Sequence, residues 1–479
     1  MTHIIRQQYV HIDLNGTESE GMALHSQLPE LCRNWLLPAI ERALDRCAPS
    51  DGHLYIDRLE IDAGVVSLDR LEQDIVELVE RALEQSIQLQ NSLVDVNPGQ
   101  SDHTSVRKTN AQSVTEAFVY FLKTGSLPWF FRLPVGKTLE QVLLDSWHKE
   151  SEATITRRAF VDSIRSILSS APVRNRLIRQ FSPVFLEILF TRLSPANQPI
   201  LHAVLTVLHA TGSEPAELAL VTRQLWETAF VHLAEHRQMT EQQIVSEVWH
   251  TLPIVKTDRL KQQLERHWPS VTQSEKWSTQ PPTIEQKNDE VRQNPENEEA
   301  QQHTQRQANG QLSVQEGVYV DHAGLVLLHP FLAQFFGALG IAQGDQLVQP
   351  ERALCLLYYL ATGQTVAPEY ELLLPKVLCN LPMDMPVESD VALTATELEE
   401  ADVLLRTVVR YWEALRNTST DALRGTFLIR PGKLSLRADG DWLLQVETAS
   451  FDILVDQLPW LISRIQLPWM KTMLRVEWQ

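Results

Sequence analysis

Hydrophobic positions near the start of the chain recur with more than one period. Ile4, Ile5, Tyr9, Val10, Ile12 and Leu14 predict a strand, closed by the turn dipeptide Asn15-Gly16. From Leu28 to Arg46 the spacing becomes helical through Leu31, Trp35, Leu36, Ile40, Ala43 and Leu44. Pro29 is tolerable in a first turn, and Pro38 predicts a kink. Leu54, Ile56, Leu59 and Ile61 return to strand alternation but slip between 56 and 59, which implies a bulge or burial on both faces. A second helix follows in Leu68, Leu71, Ile75, Leu78, Val79, Ala82 and Leu83, introduced by the capping pattern Asp69-x-x-Glu72. Strand, helix, strand, helix is the expected order of this section.

Residues 113–270 read as helical. Ala159, Phe160, Ile164, Ile167 and Leu168 form one apolar stripe, and Val184, Phe185, Ile188 and Leu189 form another after Pro183. Breaks at Ser170-Ala171-Pro172 and Ser194-Pro195-Ala196-Asn197 divide the section into several short helices, a bundle and not a rod. From Gly317 onward the pattern is mixed again, with helices expected around 331–340, 350–361 and 396–416. Strands are expected at Thr426–Ile429, Leu434–Arg437 and Trp442–Glu447, with turns at Pro431-Gly432 and Asp439-Gly440.

Two polar stretches separate these sections. Gln273 to Ser313 carries only Trp277, Ile284, Val291 and Leu312 as large apolar residues, too few to offset the entropy of ordering it. A shorter stretch runs from Asn97 to Gln112. The expected organisation is α+β and multidomain: a mixed α/β domain over 1–95, a helical bundle over 113–270, a disordered polar linker over 273–313 and a mixed α/β domain over 317–479.

Composition narrows the classes of function. The 479 residues carry 61 acids against 42 bases, a net charge of −19, which disfavours a general binder of nucleic acid or anionic lipid. The charge is uneven: −10 over 1–95, +3 over 96–272 and −12 over 273–479. Ala323 to Ala342 is long enough to span a bilayer and holds no formal charge, yet His329, Pro330 and Gln334 lie in its middle. It reads as a buried strand or loop followed by a core helix. The first residues lack the charged and apolar regions of a signal peptide, so export by the general secretory route is not expected. Four cysteines, none in a C-x-x-C pair, predict buried thiols and no disulfide framework.

Candidate chemistry is sparse. His232-Leu233-Ala234-Glu235-His236 matches H-x-x-E-H, a spacing that can set two imidazoles on one helix face around zinc with a glutamate as base. The expected third ligand would have to come from the polar stretch downstream, so a polar helix face is the preferred reading. No phosphate-binding glycine loop, dinucleotide fingerprint or nucleophile elbow occurs, and no catalytic or cofactor-binding residue is assigned. Leu-Pro-Trp occurs three times, ending at Trp129, Trp460 and Trp469. Proline fixes the approach and tryptophan offers a large rigid surface, so these residues either seal the protein's own domains or dock a partner.

Several stretches together resemble the tape measure proteins of contractile injection systems. They are His3-Ile4-Ile5, Leu31-Cys32-Arg33 through Leu37, Ile56 through Gly64, and Phe121-Leu122-Lys123-Thr124-Gly125-Ser126-Leu127-Pro128-Trp129. The C-terminal ones are Ala323 through Leu332, Ala367-Pro368-Glu369-Tyr370-Glu371-Leu372, and Leu458-Pro459-Trp460 to Val476-Glu477-Trp478. The resemblance implies a non-enzymatic assembly protein that sets tube and sheath length, with the inner tube protein and the spike or baseplate hub as partners. It further implies production in the bacterial cytoplasm and release within a finished particle, and no cofactor. An assembly chaperone absent from the mature particle is the alternative, and a zinc peptidase built on His232, Glu235 and His236 the remote one. Drawn into one helix the middle section would reach up to about 240 Å, and the polar linker up to about 135 Å if extended.

Overall fold

The computed structural model describes residues 3–5, 8–48, 53–56, 58–96, 105–149, 154–210, 214–251, 266–269, 317–416 and 418–478. The expected linker 273–313 lies outside the described residues, as does 97–104. The fold is α+β. Contacts divide the chain into two compact units, Met1–Ala117 with Trp129–Glu152, and Phe118–Pro128 with Ala153–Gln479.

In the first unit, α1 (Glu18–Leu31) passes through a π-turn at Cys32–Leu36 into α2 (Leu37–Cys47). A Thr17–Glu20 capping box starts α1, so Pro29 lies inside the helix and not in its first turn. Pro38 has no N–H to give, and the wider turn just before it accommodates that loss. Strand β1 (His53–Ile56) pairs antiparallel with β2 (Ser105–Lys108), which arises from the stretch read as a linker. Helix α3 (Leu71–Val96) begins after a 3-10 turn at Leu68–Arg70 with Ser67 at its N-cap, so the Asp69–Glu72 pattern does not cap it. Leu31, Leu36, Ala43, Val79 and Leu83 form the core between α1, α2 and α3, and Arg42 and Arg46 bridge to Glu80 across α2 and α3. The strand expected over Ile4–Leu14 does not form among the described residues: residues 8–15 are irregular and exposed. Alternation specifies a face, but a strand also needs an edge to pair with.

Helix α4 (Asn110–Thr124) and α5 (Leu139–Lys149) follow. The helical section then continues as α6 (Thr154–Ile167), α7 (Ala171–Gln180), α8 (Pro183–Leu193), α9 (Gln198–Ala210), α10 (Pro215–Ala234) and α11 (Glu241–Thr251), all in the second unit. The breaks fall where the proline and serine clusters lie, with Ser182 capping α8 at Pro183. Phe181 and Phe185 stack at 4.6 Å between ring centroids, and Phe118 meets both edge-on.

The C-terminal part of that unit opens with β3 (Val318–Val320) and a buried 3-10 turn, Ala323–Leu328, that leads into α12 (His329–Ala338). The uncharged segment is therefore a tight turn and a ten-residue helix. No helix among the described residues is long and apolar enough to cross a membrane. A short hairpin, β4 (Ala342–Gln343) and β5 (Gln346–Leu347), precedes α13 (Pro350–Thr362), α14 (Leu373–Leu378) and α15 (Ala395–Tyr411). After the short α16 (Thr420–Leu423), residues Arg424–Leu428 make a π-turn where a strand was expected. Burial of Leu423, Phe427 and Leu428 at helical spacing overrides the local alternation, and Phe427 packs 4.8 Å from Trp412. Strands β6 (Gly432–Leu436), β7 (Trp442–Val446), β8 (Arg464–Ile465) and β9 (Leu474–Trp478) complete a five-stranded sheet in the order β3-β6-β7-β9-β8. Its pairs are antiparallel except β7 with β9, where Leu444 stands opposite Val476.

Candidate functional site

The most unusual chemistry lies in the second unit, where three charged side chains are fully buried together: Arg176 on α7, Glu369 and Lys376. Pro368 fixes the entry to a 3-10 turn, Glu369–Glu371, and α14 presents Lys376 seven residues after Glu369. The guanidinium of Arg176 grips the Glu369 carboxylate in two places, Nε to Oε2 at 2.9 Å and Nη2 to Oε1 at 3.1 Å. It also donates to the carbonyls of Leu122 at 2.6 Å and Asp384 at 2.5 Å. The three ammonium hydrogens of Lys376 find three acceptors: Glu369 Oε1 at 2.6 Å, Met383 O at 2.9 Å and Met385 O at 2.8 Å. Gln180 on α7 receives the Glu369 N–H at 2.8 Å and donates to Val387 O at 2.9 Å.

Two cations face one carboxylate, and main-chain carbonyl dipoles accommodate the surplus charge. Burial pulls the Lys376 ammonium down from its usual range while Glu369 opposes that shift. The three side chains are fully buried and every donor nitrogen has an acceptor, so the node holds these segments together. Gly125 completes it: its φ is +80°, and a Cβ there would lie 2.4 Å from Glu369 Oε1. Phe121 packs edge-on to Tyr370 at 5.6 Å. Two of the stretches that suggested a family, 121–128 and 367–372, thus meet at one point.

Two residues beyond Glu369, Glu371 enters a second buried group. His322 Nε2 stands 3.7 Å from Glu371 Oε2, and the Tyr358 ring lies perpendicular to the imidazole at 5.6 Å. Burial pushes the Glu371 carboxyl up to about 7, against a hydrogen bond from Tyr358 and with help from the charge of Asp321. Burial also lowers His322. Cys355 is pushed up to about 11 by burial, so its thiol is held unreactive.

The residues singled out from sequence fall in different places. Trp469 is buried, donates its indole N–H to Leu378 O at 2.8 Å and packs on Phe336. Trp460 is half-buried, donates to Leu327 O at 3.1 Å and meets Phe331 edge-on at 5.2 Å. Exposed Leu461 and Tyr411 border it, Tyr411 touching Phe331 at 6.1 Å. In the first unit, half-buried Trp129 packs against Tyr55 and Phe130. Both C-terminal Leu-Pro-Trp motifs therefore rest on the 323–338 segment.

The structure does not bring His232 and His236 onto one helix face. Helix α10 ends at Ala234, and His236 follows in the left-handed region with φ +55°. Main-chain bonds from Arg237 to His232 and from His236 to Leu233 close the helix end as a Schellman motif. His232 is buried and bonded to Glu247 at 2.7 Å, while His236 and Glu235 are exposed and Glu235 pairs with Arg237. No group of three or more His, Cys, Asp or Glu among the described residues could hold a metal ion.

The charge node escaped sequence reasoning. Gly125 and Glu369 stood inside quoted motifs, but Arg176 is one of three arginines on α7 and only its spacing on the apolar side, beside Val173 and Leu177, marked it. Comparison with curated proteins and with solved structures finds no match. The profile of the contractile injection system tape measure proteins matches residues 2–478. The chain therefore belongs to the contractile injection system tape measure protein family, a membership that carries a structural role in assembling a phage-tail-like particle.

Proposed function

We propose that this protein acts in the particle as a folded body that initiates tube and sheath growth at the spike or baseplate hub, and not as a ruler stretched along the tube lumen. The observation that carries this reading is the buried node of Arg176, Glu369 and Lys376, which ties α7 to the C-terminal part. Drawing the helices out would strip these charges of their partners, at about 3–5 kcal/mol for the first one broken. The longest helix among the described residues, α3, has 26 residues and so spans only about 39 Å. The half-buried edge of Trp460, with Phe331, Tyr411 and Leu461, is the surface we assign to another particle component.

Duplicating residues 273–313 leaves the node untouched and separates the two mechanisms. A ruler lengthens the particle by up to about 135 Å, whereas an initiating body leaves its length unchanged in electron micrographs. Particle length that follows the insertion overturns the proposal. Mass spectrometry of purified particles tests the chaperone alternative, under which the chain is missing from the finished assembly.

A further inference from the structure

We propose that the surface around Trp460 receives an acidic segment of another particle component, with an apolar side chain on the aromatic rings and carboxylates on Arg406 and Arg410. The inference rests on the reading of this surface as an assembly contact and adds the chemistry of what covers it. Its apolar part is continuous. Phe331 on α12 meets the Trp460 ring edge-on at 5.2 Å and the Tyr411 ring at 6.1 Å, and Tyr411 and Leu461 stand out from it, 59% and 84% exposed. The indole N–H of Trp460 is already donated to Leu327 O, so the ring offers an incoming chain contact area and no donor. Polar recognition at this surface therefore falls to its charged neighbours.

Those neighbours are cations. The three stretches that carry the surface, residues 329–335, 403–416 and 458–464, hold four arginines, Arg406, Arg410, Arg416 and Arg464, against one acid, Glu413. The section that contains them, 273–479, is −12, so the excess of positive charge is local. These arginines also differ from the others nearby. Arg352, Arg424, Arg430, Arg437 and Arg475 each hold a carboxylate of the same chain. Arg406, Arg410, Arg416 and Arg464 are exposed, and none has an ion pair or side-chain hydrogen bond among the described residues. Arg406 and Arg410 lie four residues apart on α15, where like charges repel, and a carboxylate set between them removes that repulsion. The negative end of the helix dipole accounts for a cation in the last turn, where Arg410 stands, but not for Arg406 a turn earlier. Exposed aromatic rings with unpaired arginines and few acids make the composition of a protein contact, and its charge calls for carboxylates.

The test keeps the full chain and reads its amount per purified particle by mass spectrometry. Arg406→Glu combined with Arg410→Glu turns attraction into repulsion and should lower that amount about tenfold or more. Arg406→Lys combined with Arg410→Lys keeps the charge and should retain most of it. Neither residue bonds to its own chain, so both variants should melt as wild type does. A charge-reversed variant that enters particles in wild-type amount overturns the inference. If Trp460→Ala is depleted in the same experiment, the contact surface stands and only its acidic occupant falls; if neither is depleted, both fall. Self-association of the wild-type chain in sedimentation, abolished by the charge reversal, would make a second copy the occupant and likewise overturns the inference.

Discussion

Gly125 shows how much a single residue can carry in this fold. Its positive φ costs any side chain about 1–2 kcal/mol, and the missing Cβ leaves room for the Glu369 carboxylate. Gly125→Ala should push that carboxylate off Arg176 and Lys376, and we expect a loss of about 3–5 kcal/mol in denaturant unfolding. Asn15→Ala, on the exposed N-terminal segment, should stay within about 0.5 kcal/mol of wild type. Glu371 makes a second residue-scale prediction. Its carboxyl titrates near 7 in the folded chain and at 4.5 when ordinary, so between these values only the folded state holds the proton. Stability from this group is therefore greatest below 4.5, falls as pH rises to about 7, and is level above. His322 contributes the opposite slope below 6.5, because its folded value is lowered. Glu371→Gln removes the first slope alone. The variant should gain on wild type between about pH 5 and about pH 8, by on the order of 2 kcal/mol, in melting measured at both.

At the scale of elements, what was legible in the sequence followed the reach of the forces involved. Helices α6 to α9, α12 and α13 stand where apolar stripes and proline breaks set them, because both signals act within a few residues. Strand β2, inside an apparent linker, and the π-turn at Arg424–Leu428 could not be read that way. One depends on pairing with β1 and the other on packing beneath Trp412. The same contrast governs the tryptophan motifs, which look alike in sequence. Trp469 fills the core and satisfies its N–H on Leu378, so Trp469→Ala should cost about 3–5 kcal/mol and lower the melting temperature. Trp460 keeps an accessible edge beside Leu461, so Trp460→Ala should melt closer to wild type yet be depleted from purified particles. Equal loss of stability in the two variants, with incorporation tracking stability alone, would remove Trp460 from the contact surface.

Within the larger of the two units, the buried node decides whether α7 and the stretch from Glu369 to Ser389 behave as one body. Arg176 and Gln180 reach from α7 to Glu369, Asp384 and Val387, and Ser389 donates to Arg179 O at 2.9 Å. Arg179 with Glu351 and Arg223 with Glu388 add ion pairs on the same side, half-exposed and individually worth little. The energy is concentrated in the three buried charges, where removing one leaves the others uncompensated. Native-state hydrogen exchange should accordingly find the slow amides of α7, α8 and α14 opening with one free energy. In Glu369→Gln the amide cannot neutralise two cations, so α7 and α8 should open separately from α14, with their protection reduced by about two orders of magnitude or more. Such a variant also bears on particle assembly, since it releases the helices that a ruler would have to extend. If loosening the node leaves particle number and length unaltered, the folded state of this unit is not what initiates growth. If particles become scarce while those that form keep their length, the packed unit, and not the reach of its helices, is the active element.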